Sequence, residues 1–121
     1  MIEEELEAIL NGEHKLNETQ KKKLLNVLFL AKKHLDKHNL FGVQFNFKKM
    51  RRNTLGQCDS DDKITLNLNF ALNSSLLEIE DVIIHEIAHA IVGVEHNHDV
   101  KWQLKAIELG LSMSEIKNYK L

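Results

Sequence analysis

The stretch His85-Glu86-Ile87-Ala88-His89 decides how this chain is interpreted, because it places two histidines four residues apart. On an α-helix, residues at that spacing lie on one face, so His85 and His89 can offer two imidazole nitrogens to one metal ion. Glu86 follows the first histidine directly and can reach a water molecule on that ion. This is the H-E-x-x-H arrangement of zinc metalloproteases, in which the glutamate is the general base.

The residues around the motif favour a metal site over an ordinary helix. The segment 82–92 is apolar apart from the two histidines and the glutamate, so we expect a helix that is buried on most sides. Buried polar side chains cost free energy unless they have partners. A bound metal ion is such a partner. We therefore predict that His85 and His89 are Zn²⁺ ligands and that Glu86 is the catalytic residue.

A catalytic zinc site has a third protein ligand and keeps a fourth position open. The metzincin pattern would put a third histidine at residue 95, where this chain has Glu95. Glu108 lies on the next predicted helix, as the third ligand does in thermolysin-like enzymes. His96 and His98 lie in the loop between the two helices. Their spacing of two would point them to opposite sides of an extended segment, so only one of them is expected to bind.

The motif and its surroundings resemble the SprT-like zinc metallopeptidase family. The resemblance rests on the motif with the alanine after it, and on four further segments: His98-Asp99-Val100-Lys101-Trp102, Leu109-Gly110, Leu55-Gly56-Gln57-Cys58 and Ile64-Thr65-Leu66-Asn67. In that family a third histidine follows the motif in a His-Gly-x-x-aromatic context. The resemblance therefore implies that His98 is the third zinc ligand. It also implies a zincin-like fold and proteolysis of proteins near DNA.

Two features depart from the family pattern. Asp99 replaces the usual glycine after the third histidine, a mild change because aspartate caps helices well. Many members also carry a Cys-rich zinc ribbon after this domain, and we expect none here.

The length and the periodicity of the chain predict one α+β domain covering residues 1–121. We expect N-terminal helices, a small antiparallel or mixed sheet, the H-E-x-x-H helix and a following helix. We predict a short helix around 2–10 and a helix from about Glu18 to His38. Strands are predicted at 43–47 and 64–68, with a shorter one near 57–59. The motif helix should run from between Ser74 and Asp81 to near Gly93, followed by a helix from Asp99 to Gly110 and a last short helix after Ser112. His34 and His38 are expected on the surface of the second helix, and 59–63 as a turn.

Composition restricts the location and the partners. The formal net charge of −2 gives no overall attraction to nucleic acid. A basic cluster after the first strand could contact DNA phosphates, although a solvated hairpin end is the ordinary interpretation; it consists of Lys48, Lys49, Arg51 and Arg52. A single cysteine and the absence of an apolar run near 20 residues predict a cytoplasmic protein without a membrane partner.

We therefore predict a zinc metalloendopeptidase that cleaves protein or peptide substrates. Two other classes stay open: a zinc-stabilised binding module that has lost turnover, and a zinc hydrolase acting on a non-peptide amide. The oligomeric state and the group that stabilises the oxyanion are not predicted, although Tyr119 and His96 are candidates for the latter.

Overall fold

Five helices and three strands follow one another in the structure, a computed structural model that describes residues 2–10 and 15–112. They are Ile2–Leu10 (α1), Glu18–Lys37 (α2), Gln44–Lys48 (β1), Gly56–Cys58 (β2), Lys63–Asn67 (β3), Leu68–Asn73 (α3), Leu76–Val92 (α4) and Val100–Leu109 (α5). This composition confirms the predicted α+β class. The expected last helix and Tyr119 lie outside the described residues.

The two longest helices begin where the sequence predicts. Asn17 and Gln20 form a reciprocal capping box at the start of α2, and Ser75 and Glu78 form another at the start of α4. The apolar face of α2 packs with α4 and the sheet into the main core, and its buried residues are Leu24, Val27, Leu28, Ala31 and Leu35. Gly93 ends α4 with a φ of 102°, a conformation that favours glycine.

The sheet is small and mixed, with the strand order β1-β3-β2. The central strand β3 pairs in parallel with β1 and antiparallel with β2. The hairpin between β2 and β3 confirms the predicted turn at 59–63, where the Asp59 carboxylate accepts hydrogen bonds from the N–H groups of Asp61 and Lys63.

The second predicted strand is shorter than expected and is buried along most of its length. Thr65 and Asn67, which alternate with Ile64 and Leu66, are both buried, because β3 is the central strand and is covered on both faces. The strand also ends at Asn67 rather than continuing through Leu68. The Asn67 side chain accepts hydrogen bonds from the N–H groups of Asn69 and Phe70, and so caps the short helix α3.

The expectation for His34 also needs correction. Its Nε2 lies 2.7 Å from Oε2 of Glu80, and its side chain is only 13% exposed. His34 therefore links α2 to α4 rather than standing free on the surface of α2. Of the helices that the structure describes, none combines the length and the apolar character that crossing a membrane would require.

Candidate metal centre

Three histidines from two parts of the chain meet at one point. His85 and His89 lie one turn apart on α4, and His98 lies in the loop before α5. One ligand nitrogen of each lies within 4.8 Å of the others, and Nε2 of His85 is 3.1 Å from Nε2 of His98. Two imidazoles bound tetrahedrally to zinc at 2.0–2.1 Å would have their nitrogens about 3.3 Å apart. The observed separation suits such a pair.

The loop before α5 holds His98 in a conformation that few residues adopt. His98 has a φ of 57°, in the left-handed region. Its carbonyl accepts a hydrogen bond from Nε2 of Gln103, at 3.0 Å. The next residue, Asp99, has an ordinary φ of −74° and caps α5 by accepting the N–H of Trp102. Because glycine is not required at that position, the departure from the family pattern does not strain the site.

Trp102 packs against all three imidazoles. It is fully buried, and its ring centroid lies 4.7 Å from that of His85, 5.3 Å from His89 and 4.8 Å from His98. Its indole N–H donates to the backbone carbonyl of His85, at 3.2 Å. Its contact with all three histidines depends on how α5 packs against α4.

Burial keeps the two helical histidines neutral. Desolvation, with smaller contributions from His89 and His98, lowers the pKa of His85 to about 3. Desolvation and the neighbouring His98 lower the pKa of His89 to about 4, against a small opposing effect of Asp99. A neutral imidazole keeps a nitrogen lone pair for a metal ion.

The imidazole nitrogens of the three histidines are chemically suitable ligands for a zinc ion. Three imidazoles are the ligand set of one known class of catalytic zinc site. The Nδ1 atom of His89 is buried and has no hydrogen-bond partner within the described part of the chain. The described residues therefore leave part of the desolvation of this ring uncompensated.

Glu86 lies beside this centre and is almost wholly buried, with 5% of its surface exposed. Its Oε2 is 3.8 Å from Nε2 of His85, so the carboxylate reaches the side of the ring that faces the metal position. Burial raises the pKa of Glu86 to about 8. A cation bound at the three histidines would lower this pKa again, toward the range in which a carboxylate can accept and return a proton near neutral pH.

A groove of about 260 Å³ gives access to Glu86. It is lined by Asn53, Thr54, Leu55, Gly56, Val82, His85, Glu86 and His98. Strand β2 approaches α4 closely here, since a Cβ atom on Gly56 would lie 3.1 Å from Val82 Cγ1 and 3.4 Å from Glu86 Cγ. A larger side chain at position 56 would therefore crowd Val82 and Glu86, which explains why glycine suits this position.

The competing candidates for the third ligand lie elsewhere. Glu108 is exposed and pairs with Lys105 at 2.8 Å, and that contact lowers its pKa. His96 Nδ1 lies 2.8 Å from Asp99 Oδ2, and Glu95 is exposed. Within residues 2–10 and 15–112, only the three histidines His85, His89 and His98 form a group close enough to hold a metal.

Cys58, at the end of β2, should react slowly in the native protein. Burial, with smaller effects of Glu86, Asp59 and Asp62, raises the pKa of its thiol from 9.0 to about 12. Because the thiolate is the nucleophile, three pKa units correspond to a reactive fraction smaller by about 10³-fold. We expect slow labelling by a thiol reagent at pH 8 in buffer and ordinary labelling in denaturant. Equal rates in the two conditions would contradict the described burial of Cys58.

The two histidines of α4, the third histidine from the loop and the buried Glu86 therefore lie together at one candidate metal site. The SprT-like family model matches residues 15–119, and the chain therefore belongs to the SprT-like family. No curated protein matches the chain in sequence.

Proposed function

We propose that this protein is a zinc-dependent metallopeptidase that hydrolyses peptide bonds with Glu86 as the general base. The observation that carries the proposal is the convergence of His85, His89 and His98 beside this buried carboxyl group, at the end of an open groove. A purely structural zinc site has four protein ligands and needs no base. The predicted zincin-like fold belongs to the same proposal, and helix α4, which carries both histidines and the glutamate, supports it.

The chemistry divides between the ion and the chain. When bound, Zn²⁺ lowers the pKa of a coordinated water toward about 7 and polarises the carbonyl of the scissile bond. His85, His89 and His98 would hold the ion, and Trp102 keeps their rings in place. The carboxylate of Glu86 accepts the proton of the attacking water. It then delivers that proton to the nitrogen of the leaving amine.

The substrate in this proposal is an extended segment of a protein or peptide. Beside Glu86 and the histidines, the groove is lined by uncharged residues, among them Thr54, Leu55 and Val82. Such a surface accommodates polypeptide without selecting for charge. Cleavage of unfolded segments is therefore expected over cleavage of compact domains.

DNA is the second partner that we propose, through the basic cluster. Its four side chains, Lys48, Lys49, Arg51 and Arg52, are exposed; Lys48 ends β1 and the others follow it, and the next residues, Asn53 and Thr54, line the groove. Replacing all four by glutamine should weaken binding of single-stranded DNA and flatten its dependence on salt. A matched variant in which four lysines of α2 are replaced by glutamine, Lys21, Lys22, Lys33 and Lys37, should bind as the wild type does.

The test of the proposed function is cleavage of an unfolded protein by the zinc-loaded chain, with and without single-stranded DNA. We expect cleavage that a chelator stops and that added Zn²⁺ restores, because the ion supplies the Lewis acid. Mass spectrometry of the products identifies the bonds that are cut. A chain that holds zinc but cleaves nothing in a broad panel of substrates would instead be a zinc-stabilised binding module.

A further inference from the structure

Asn67 lies at the junction of three segments, and its side chain is only 3% exposed. It is the last residue of β3 and the N-cap of α3. Its Oδ1 accepts hydrogen bonds from the N–H of Asn69 at 3.0 Å and that of Phe70 at 3.4 Å. The acceptor half of this amide is therefore used by the helix that follows.

The donor half of the same amide reaches a different part of the chain. Nδ2 of Asn67 donates to the carbonyl of Thr54 at 2.8 Å and to that of Arg51 at 3.2 Å. The backbone N–H of Asn67 donates to the carbonyl of Leu55 at 2.9 Å. The Arg51 carbonyl also accepts the N–H of Thr54, which closes a turn. One buried residue thus holds the segment 51–55 at three carbonyl groups.

This segment forms one side of the groove beside the metal centre. Thr54 and Leu55 line the groove together with Val82 and Glu86 of α4. The side chain of Leu55 is 39% exposed, so burial alone does not fix the segment. A surface segment of this kind depends on its hydrogen bonds for a defined position.

We propose that Asn67 is a positioning residue, whose amide holds the segment 51–55 at the distance from α4 that a bound polypeptide requires. The proposal rests on the proposed peptidase function. Among the described residues, no hydrogen bond of Asn67 reaches a metal ligand or Glu86. Its loss should therefore weaken the binding of substrate and leave the chemical step unchanged.

The experiment uses Asn67→Ser in the full chain. Serine caps a helix as well as asparagine does, but it is too short to reach the carbonyls of Arg51 and Thr54 and has no amide. The matched control is Asn73→Ser, because Asn73 also donates its amide to a backbone carbonyl, that of Asn69 at 2.8 Å, on the exposed side of the same helix. The two variants share the substitution and the helix, and they differ in the contact with the groove.

Within the segment 51–55 of Asn67→Ser, we expect exchange of the Thr54 N–H, which donates to the Arg51 carbonyl, to be about 10- to 100-fold faster, with exchange in α4 and zinc content unchanged. KM for an unfolded substrate should rise about tenfold while kcat stays within about twofold of the wild type. Asn73→Ser should match the wild type in every readout.

Unchanged exchange in 51–55, equal acceleration in α4, or a loss of kcat at constant KM would overturn the role of Asn67. If the serine variant does not fold, Asn67→Asp replaces it in the experiment. Aspartate has the size of asparagine and can still cap α3, but it lacks the two N–H donors of the amide. The same results would support or overturn the proposal. If the wild type cleaves nothing, the proposed function fails. The exchange rates alone then test whether Asn67 holds the segment 51–55 in position.

Discussion

Glu86→Gln is expected to lose peptide cleavage while it keeps its zinc and its fold. Glutamine has nearly the size of glutamate but cannot accept the proton of the attacking water. Loss of a general base typically lowers the rate by about 10²–10⁴-fold. Glu86 does not belong to the group of three histidines that can hold the ion, so zinc content measured by elemental analysis should stay at one per chain.

The control for this variant is Glu95→Gln. Glu95 lies nine residues further along the chain, in the loop that leads to His98, and its side chain is 73% exposed. The substitution removes the same charge close to the centre without touching the buried carboxyl group. Glu95→Gln should cleave as the wild type does. Equal cleavage by Glu86→Gln would mean that the mechanism is wrong or that the activity comes from a contaminant.

His98→Asn is expected to lose stoichiometric zinc and the stabilisation that zinc provides. Asparagine tolerates the left-handed backbone that His98 adopts, so loss of the ligand is separated from backbone strain. In the proposed site, zinc would join α4 to the loop before α5, and a ligand set built from these two segments exists only in the native state. At a free concentration of about 1,000 times Kd, zinc stabilises that state by about 4 kcal/mol. For a domain of this size, this corresponds to a Tm increase on the order of 10–20 °C.

Two matched variants test whether His98 is the third ligand. His96→Ala removes the neighbouring imidazole, and Glu108→Ala removes the carboxylate expected from thermolysin-like sites. Both should keep zinc and should lose Tm on chelation as the wild type does. Zinc retention by His98→Asn, with loss in either control, would transfer the role to that other residue. A melting curve that does not change after verified zinc removal would exclude a site that bridges the two segments.

Local sequence patterns were enough to predict where α2 and α4 begin and where α4 ends. The two capping boxes, at Asn17 and Ser75, and the terminating Gly93 each depend on contacts within one helix turn. The motif likewise depends on the four-residue repeat of a helix, which brings His85 and His89 together wherever that helix lies. These features are predictable because the interacting groups are close in sequence.

The other features of the site and of the sheet depend on contacts between segments that are distant in sequence. Spacing alone left His96, His98, Glu95 and Glu108 open as the third ligand, because a loop can direct any of them toward α4, and family resemblance was needed to favour His98. The packing of α5 and of the loop before it brings His98 close to His85 and His89, with Trp102 in contact with all three rings. Long-range packing also set the burial of Thr65, because β3 is the central strand of the sheet.

By itself, the sequence determined the α+β class, the starts of α2, α4 and α5, and the pair of histidines with their neighbouring glutamate, since each follows from short-range periodicity and capping. Only the tertiary structure decided that His98 meets this pair, that Trp102 supports it, and that Asn67 ties the segment 51–55 to the end of β3. The physical reason is that burial and hydrogen bonding between remote segments depend on how the helices pack on the sheet, which no local pattern specifies.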